Sequence, residues 1–291
     1  MEFRLARNCD IENLIEIFKV SFNETEENLR YFFVHKFKKE KCTVCIVDNE
    51  VVSSLNMFDT NLVGQKGLEK AIYIYGAATH PKHRHKGYMS KLINYSNMLA
   101  FNHGYNYSIL LPAKEKLYDY YKKLGYLKFF KSRFLNISKS EILNYINSDF
   151  NLTKLLTFDD MSNLRYNICK RHLGSAMWNS DDIKYAVNMN SQYGGATILS
   201  NEGYAICYID KNDTLQIIEF MVTEKDFKNL LTAIYKRYPN NDYRFRLPLF
   251  NNYFNKLGEV NYFGMIKPLN TKFENDIIGK SVCPYLGLPL D

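Results

Sequence analysis

Thr79-His80-Pro81-Lys82-His83-Arg84-His85-Lys86-Gly87-Tyr88-Met89-Ser90-Lys91-Leu92 is the stretch that decides the fold. An apolar run, Tyr73 to Ala78, precedes it, and a helical run, Ser90 to Ala100, follows it. The segment therefore reads as a strand end, a basic turn and a helix start. A helix start leaves backbone N–H groups without intrahelical partners, at the positive end of the helix dipole. Phosphate binds well at such an end. Gly87 has no Cβ and lets a ligand come close to the backbone. Arg84 and Lys86 add positive charge. Alone, this would be an ordinary solvated basic turn. Between a strand and a helix it becomes a candidate site for a diphosphate-bearing cofactor.

The chain has 291 residues, 46% hydrophobic and 15% aromatic, which supports a large core and one or two domains. It has no apolar run of about 18 residues, so no membrane span is expected. Met1 to Arg7 lacks the apolar region of a signal peptide, and a cytoplasmic protein is expected. The net charge of +7 is uneven: residues 1–140 hold 22 Lys+Arg against 14 Asp+Glu, whereas residues 141–291 hold 16 against 17. The basic excess thus lies in the half that carries the turn, as a polyanionic ligand would require. No basic run with interleaved aromatics matches a nucleic-acid module, so no nucleic-acid partner is expected. Six scattered cysteines read as free thiols. Cys42-Thr-Val-Cys45 lies in an apolar strand that turns the two thiols to opposite faces, and no second pair completes a zinc set. His80, His83 and His85 alternate in the turn, but they lack a fourth ligand, and no metal is expected.

Along the chain, residues 3–7 read as a strand. Asn8 or Asp10 then caps a helix with Ile11, Leu14, Ile15 and Phe18 at helical spacing. A second helix is expected over Thr25 to Phe37. Strands Thr43–Val47 and Val51–Asp59 follow, and a Gly/Lys-containing loop leads to strand Ala71–Thr79. After the basic turn and its helix come strand Tyr107–Leu111, a helix to Lys123 stopped by Gly125, and a returning strand Tyr126–Arg133. The second half repeats this plan. It offers a helix capped by Asp159 or Asp160, then strands Ala196–Ser200, Tyr204–Ile209 and Leu215–Val222. A helix from Lys225 to Tyr238 and strand Phe245–Leu249 follow, with a Leu257-Gly258 stop. A duplicated domain explains the repetition. Where the first copy has Arg84-x-x-Gly87, the second has Val222-Thr223-Glu224-Lys225-Asp226. The second copy therefore offers no glycine and puts acid where phosphate would sit. Met177, Trp178, Met189 and Tyr193 read as core of that second half.

These residues resemble the GCN5-related N-acetyltransferases (GNAT family), whose central motif is Arg/Gln-x-x-Gly-x-Gly/Ala after a strand and opening a helix. Arg84-His85-Lys86-Gly87-Tyr88-Met89 fits it apart from Met89, which stands in place of Gly/Ala. That variant, and an intact domain followed by a degenerate one, are similar to the branch of enhanced-intracellular-survival (Eis) acetyltransferases. A second segment, Leu117-Tyr118-Asp119-Tyr120-Tyr121-Lys122-Lys123-Leu124-Gly125-Tyr126, resembles the family's F-Y-x-K-x-G-F segment. The resemblance is clear over residues 3–135. It implies an α+β, mixed α/β, fold of two tandem GNAT-like domains, residues 1–140 and 141–291. Each would be a central, mostly antiparallel mixed sheet flanked by helices.

The resemblance also implies a chemistry. Acetyl-CoA would be the cosubstrate, its diphosphate held by Arg84, His85, Lys86, Gly87, Tyr88, Met89 and Ser90. The strand end Ala77-Ala78-Thr79 would bind the pantetheine arm through its backbone, in a slot opened where that strand splays from Tyr107–Leu111. Tyr121, four residues before Gly125, falls on the family's general-acid tyrosine and would donate to the departing thiolate. Tyr118 and Tyr120 are out of register for that role. The strand before the turn carries no Glu to act as base. In the Eis branch the C-terminal carboxylate is thought to serve, which makes Asp291 the expected proton acceptor. The expected activity is N-acetyl transfer to an amine by direct attack. The alternative is a non-catalytic acyl-CoA-binding sensor. The acceptor, a small-molecule or peptide amine, is left open, and so is homo-oligomerisation. Glu24, Glu26 and Glu27 read either as an attraction for a cationic amine or as a solvated helix face.

Overall fold

In the computed structural model, which describes all residues except 148, 271–276, 282 and 289–291, the first strand is β1 (Glu2–Leu5). Helices α1 (Ile11–Phe22) and α2 (Glu26–His35) follow. Leu14, Ile17 and Phe18 of α1 are buried at helical spacing, and the Thr25 hydroxyl caps α2 by accepting from Asn28 N–H at 3.2 Å. Asp10 stands at the N-cap position of α1, but its side chain makes no capping bond there. Its carboxylate instead takes the Arg4 guanidinium at 2.6 and 3.0 Å and the Arg7 N–H at 2.7 Å. Next come β2 (Cys42–Val47), β3 (Glu50–Val63) and β4 (Leu68–Thr79). Then follow α3 (Tyr88–Asn102), β5 (Tyr107–Leu110), α4 (Lys116–Lys123) and β6 (Leu127–Lys128).

The later elements are β7 (Lys131–Ile137), α5 (Phe158–Cys169), β8 (Ala176–Met177) and α6 (Ser180–Gln192). Thr157, not Asp159 or Asp160, caps α5, with Asp160 returning the favour by accepting from Thr157 N–H at 3.0 Å. Strands β9 (Ala196–Ser200), β10 (Gly203–Ile209) and β11 (Thr214–Val222) lead to α7 (Phe227–Arg237). The described elements end with β12 (Asp242–Leu247), β13 (Glu259–Tyr262) and β14 (Met265–Pro268).

Two sheets form, and each contains a parallel pair of strands. The first runs β1-β2-β3-β4-β5-β14-β6, with β4 parallel to β5. The second runs β13-β7-β12-β11-β10-β9, with β11 parallel to β12. Read strand by strand, the orders match: β2 to β6 with β14 in the first, β9 to β13 with β7 in the second. The mixed, mostly antiparallel architecture is thus present twice.

The chain does not divide at one point. The first unit comprises residues 1–61, 68–128 and 264–279; the second comprises 62–67, 129–263 and 280–291. The segment Tyr126–Arg133, expected as one strand of the first half, is therefore two strands in two sheets. β6 closes the first sheet against β14, while β7 pairs with β12 and β13 in the second. The penultimate strand of each sheet comes from the other half of the sequence.

In the first unit, the sheet buries one core against α3, with Leu55, Met57, Ile72, Ile74, Leu92 and Ile93, and another on the α1 side, with Leu14, Ile17, Cys42 and Val44. Cys42 and Cys45 fall in these two different cores, as strand alternation requires. In the second unit α7 covers a core that includes Ile217, Phe220, Leu230, Leu231 and Phe245. Trp178, Met177 and Met189 are buried, but Tyr193 is half exposed. Among the described residues no helix is long and apolar enough to cross a membrane.

Candidate active site

The strand–turn–helix read from sequence forms in the first unit as β4, a 3-10 turn at Pro81–His83, and α3. Two residues of the turn adopt left-handed backbone, His85 (φ +65°) and Gly87 (φ +77°). Alternating left- and right-handed residues turn successive N–H groups into one concavity, which suits an anion. A Cβ on Gly87 would meet no atom within 4 Å, so the space over the helix start is open. The first backbone bond into the helix is Lys91 N–H to Gly87 O, at 3.2 Å. Among the described residues, none accepts from the N–H groups of His85, Lys86, Gly87, Tyr88, Met89 or Ser90. Six donors are thus left without a described partner at the positive end of α3.

Arg84 has a structural duty as well as a charge. Its Nε donates to Thr79 O at 3.1 Å and its Nη2 to Ser21 Oγ at 3.4 Å, which ties the turn to the end of β4 and to α1. The Lys86 side chain is exposed beside it. His80 accepts from Lys82 N–H at 3.4 Å through Nδ1, which makes it part of the turn's own scaffold.

β4 continues well beyond its neighbour. Its pairing with β5 covers Ala71↔Tyr107, Ile72↔Ser108 and Tyr73↔Ile109, while the strand runs on to Thr79. Past Tyr73 the β5-side edge of β4 thus runs outside that register, and Ala77, Ala78 and Thr79 lie in this stretch. Ala78 is buried toward α1, Ala77 packs toward α3, and the Thr79 hydroxyl lies 2.6 Å from Ser53 Oγ.

Sequence reasoning passed over Gly76. It sits inside β4 at φ +59°, and a Cβ there would stand 2.6 Å from Phe18 Cζ. A left-handed residue within a strand kinks it and re-aims the backbone groups that follow, a common device beside active sites. The available signal was an isolated glycine in an otherwise apolar strand, Ile74-Tyr75-Gly76-Ala77.

The three neighbouring tyrosines of α4 separate cleanly. The Tyr118 hydroxyl is buried and accepts from Gly264 N–H at 3.3 Å. The Tyr120 hydroxyl lies 3.0 Å from Ser90 Oγ, so it braces the first turn of α3. Among the described residues the Tyr121 hydroxyl has no hydrogen-bond partner. Its ring packs edge-on against Tyr120 and Tyr126, with centroids 5.1 and 5.9 Å away. Burial, helped by the two neighbouring phenols, pushes the Tyr121 hydroxyl well above the usual tyrosine range. It therefore stays protonated at neutral pH. Tyr126 beneath it is fixed by Ser108 Oγ at 2.7 Å.

Glu24, Glu26 and Glu27 lie at or just before the start of α2. Glu26 pairs with Arg30 at 2.5 Å on the surface, and Glu24 accepts from Asn28 Nδ2 at 3.3 Å. Asp291 lies outside the described residues. In the second unit the matching helix start is filled from within. Asp226, at the head of α7, accepts from Glu202 N–H at 2.6 Å and from Asn229 Nδ2 at 2.6 Å. Four residues before its Gly258 stands Phe254, which has no hydroxyl.

Residues 2–128 match the family model described as an acetyltransferase (GNAT) domain. No curated protein matches the sequence. Among solved structures, a GCN5-related N-acetyltransferase from Anabaena variabilis ATCC 29413 has a TM-score of 0.76 at 13% identity, over 92% of this chain and 73% of its own. A probable N-acyltransferase from Enterococcus faecalis V583 has 0.71 at 14%, over 92% and 72%. Eis1 from Mycobacterium abscessus has 0.68 at 9%, over 93% and 74%. These likenesses extend over both units and show a shared fold. The first unit thus carries, over residues 2–128, a segment that matches the acetyltransferase (GNAT) domain, and the chain as a whole shares the doubled fold of these proteins.

Proposed function

We propose that the first unit moves the acetyl group of acetyl-CoA to a small-molecule or peptide amine by direct attack. The observation that carries this reading is the open, donor-rich start of α3 beside the stretch of β4 that outruns β5. The N–H groups of residues 85–90 receive the diphosphate. Ala77, Ala78 and Thr79 offer backbone groups to the pantetheine arm, as an added strand would be received.

In the reaction the free amine nitrogen attacks the thioester carbon and the carbon–sulfur bond breaks. The sulfur leaves as thiolate and takes a proton, and the new ammonium loses one. Tyr121 is the donor to sulfur. Its hydroxyl has no hydrogen-bond partner among the described residues and is a weak acid, so it acts mainly by a hydrogen bond that strengthens as charge develops. The Asp291 carboxylate is the expected acceptor of the amine's proton; removal of residues 289–291 tests that part, and unchanged turnover eliminates it. The second unit, with Asp226 at its helix start and Phe254 in place of the tyrosine, does not bind the cosubstrate in this proposal.

Thiol release from acetyl-CoA across a panel of amines tests the reading. Amine-dependent release is expected. Tight acetyl-CoA binding with no release for any amine would instead make this a sensor module.

A further inference from the structure

The second unit buries three arginines, and among the described residues only Arg165 has a partner for every nitrogen. Arg165 is fully buried and uses every nitrogen: Nε on Glu219 at 3.1 Å, Nη1 on Ala176 O, and Nη2 on Leu286 O at 2.9 Å. Arg133 places Nη1 on Tyr253 O and Leu257 O, at 3.1 and 2.6 Å, and Nη2 on Asn251 Oδ1 at 2.9 Å, which leaves only its Nε bare and half of that edge filled. Arg246 differs. Only 9% exposed, it has no hydrogen-bond partner for Nε or Nη2 among the described residues, and both atoms are shielded from solvent. Its guanidinium carbon rests 4.4 Å from the centroid of the Phe263 ring, which holds its plane.

The identity of the two bare nitrogens matters. Nε and Nη2 project N–H bonds from the same edge of the guanidinium. That edge is the fork that receives both oxygens of a carboxylate or phosphate. A buried cation with that edge unfilled is costly, and the natural remedy is an anion. Among the described residues none accepts from that edge. Glu219 is already engaged, Oε1 by Arg165 and Oε2 by the Tyr285 hydroxyl at 3.0 Å.

The place in the sheet fits a ligand. Tyr243, Phe245 and Leu247 of β12 face the α7 core, so Arg246 points to the opposite face. The pairing of β12 with the parallel β11 ends at Ile217↔Phe245. Arg246 is the first residue beyond that point, toward the carboxyl end of both strands, where parallel sheets form their binding crevices.

We propose that the Nε–Nη2 edge of Arg246 is an oxyanion site in the second unit, taking the carboxylate or phosphate group of a small ligand. The site is independent of the acetyl-CoA site proposed above.

The full chain in chloride buffer, titrated separately with sodium phosphate and sodium acetate at constant ionic strength, tests it by thermal unfolding. A saturable rise in the midpoint is expected, and the anion that saturates at lower concentration tells phosphate from carboxylate. Arg246→Met should abolish the rise at this site and, without the anion, melt no lower than the parent. Arg246→Lys keeps the charge but not the fork, so it should need at least about tenfold more anion. The turn at residues 84–90 also offers donors to phosphate, so a local readout is needed. Crystals soaked in selenate should show anomalous selenium within hydrogen-bond reach of Arg246 Nε and Nη2. Equal midpoint rises in parent and Arg246→Met, or selenium found only elsewhere, overturn the proposal. Should Arg246→Met fail to fold, Arg246→Lys and the selenate map decide.

Discussion

Replacing Gly76 by alanine should damage the first unit far more than the same change at Gly87. Both glycines have left-handed backbone, at φ +59° and +77°. An L-residue held there costs about 1–2 kcal/mol. At Gly87 that is the whole cost, since nothing lies within 4 Å of the new Cβ. At Gly76 the new methyl would meet Phe18 Cζ at 2.6 Å and Cε1 at 2.9 Å. The ring cannot swing away easily. Phe18 is buried, with Phe22, Phe32 and Phe33 centroids at 5.3, 5.3 and 5.9 Å. Overpacking a filled core adds about 1–3 kcal/mol. Gly76→Ala should therefore lose about 2–5 kcal/mol in total and lower the urea midpoint by about 1–2 M. In a Phe18→Leu background the increment for Gly76→Ala should shrink to the backbone part, about 1–2 kcal/mol. Urea unfolding of the four proteins provides the cycle. Equal losses for Gly76→Ala and Gly87→Ala, or no change in the Phe18→Leu background, would refute the kinked strand.

Asp10→Asn should cost about 1–2 kcal/mol at neutral pH, through the Arg4 bonds first and the Arg7 N–H second. The Asp10 carboxyl lies below its ordinary value, so its contribution is complete above that range and fades as pH falls through the lowered one. The stability gap between parent and variant should accordingly close below about pH 4, as followed by unfolding at several pH values. Glu219→Gln strands the fully buried Arg165 and should cost about 3–5 kcal/mol. Joint replacement of Arg165 by Met and Glu219 by Leu should cost less than Glu219→Gln alone, read from unfolding midpoints. Tyr121→Phe should lower kcat at least about tenfold while leaving the Kd for CoA within about twofold, by steady-state kinetics and calorimetry.

The start of α2 and the strand–turn–helix were legible because their signals are local. Thr79 to Leu92 carries its own punctuation in Pro81 and Gly87, and β9 forms over the very residues its alternation marked. The exchange of penultimate strands was not legible. β7 finds its partners more than a hundred residues away, at Tyr243↔Ile137, and pairing at that range leaves no mark in a local window. β14 is four residues ending in Pro268, too short to announce a strand. Helix α6 escaped notice because its polar residues dilute the periodic ones, although Asn179 caps it with Asp182 N–H at 2.9 Å. At the candidate site, the division of labour among neighbouring side chains was not legible. Tyr118 and Tyr120 turned out to be occupied by Gly264 and Ser90, and Arg84 to be a tie to Thr79, facts that only tertiary contacts create.

Calorimetric titration of CoA into Gly87→Glu, with the parent alongside, bears most directly on the central claim that the start of α3 grips the diphosphate. The side chain would enter the open space above the turn and set a carboxylate against the phosphates. Binding by the parent and none by the folded variant is the predicted result. Undiminished binding by the variant would contradict it.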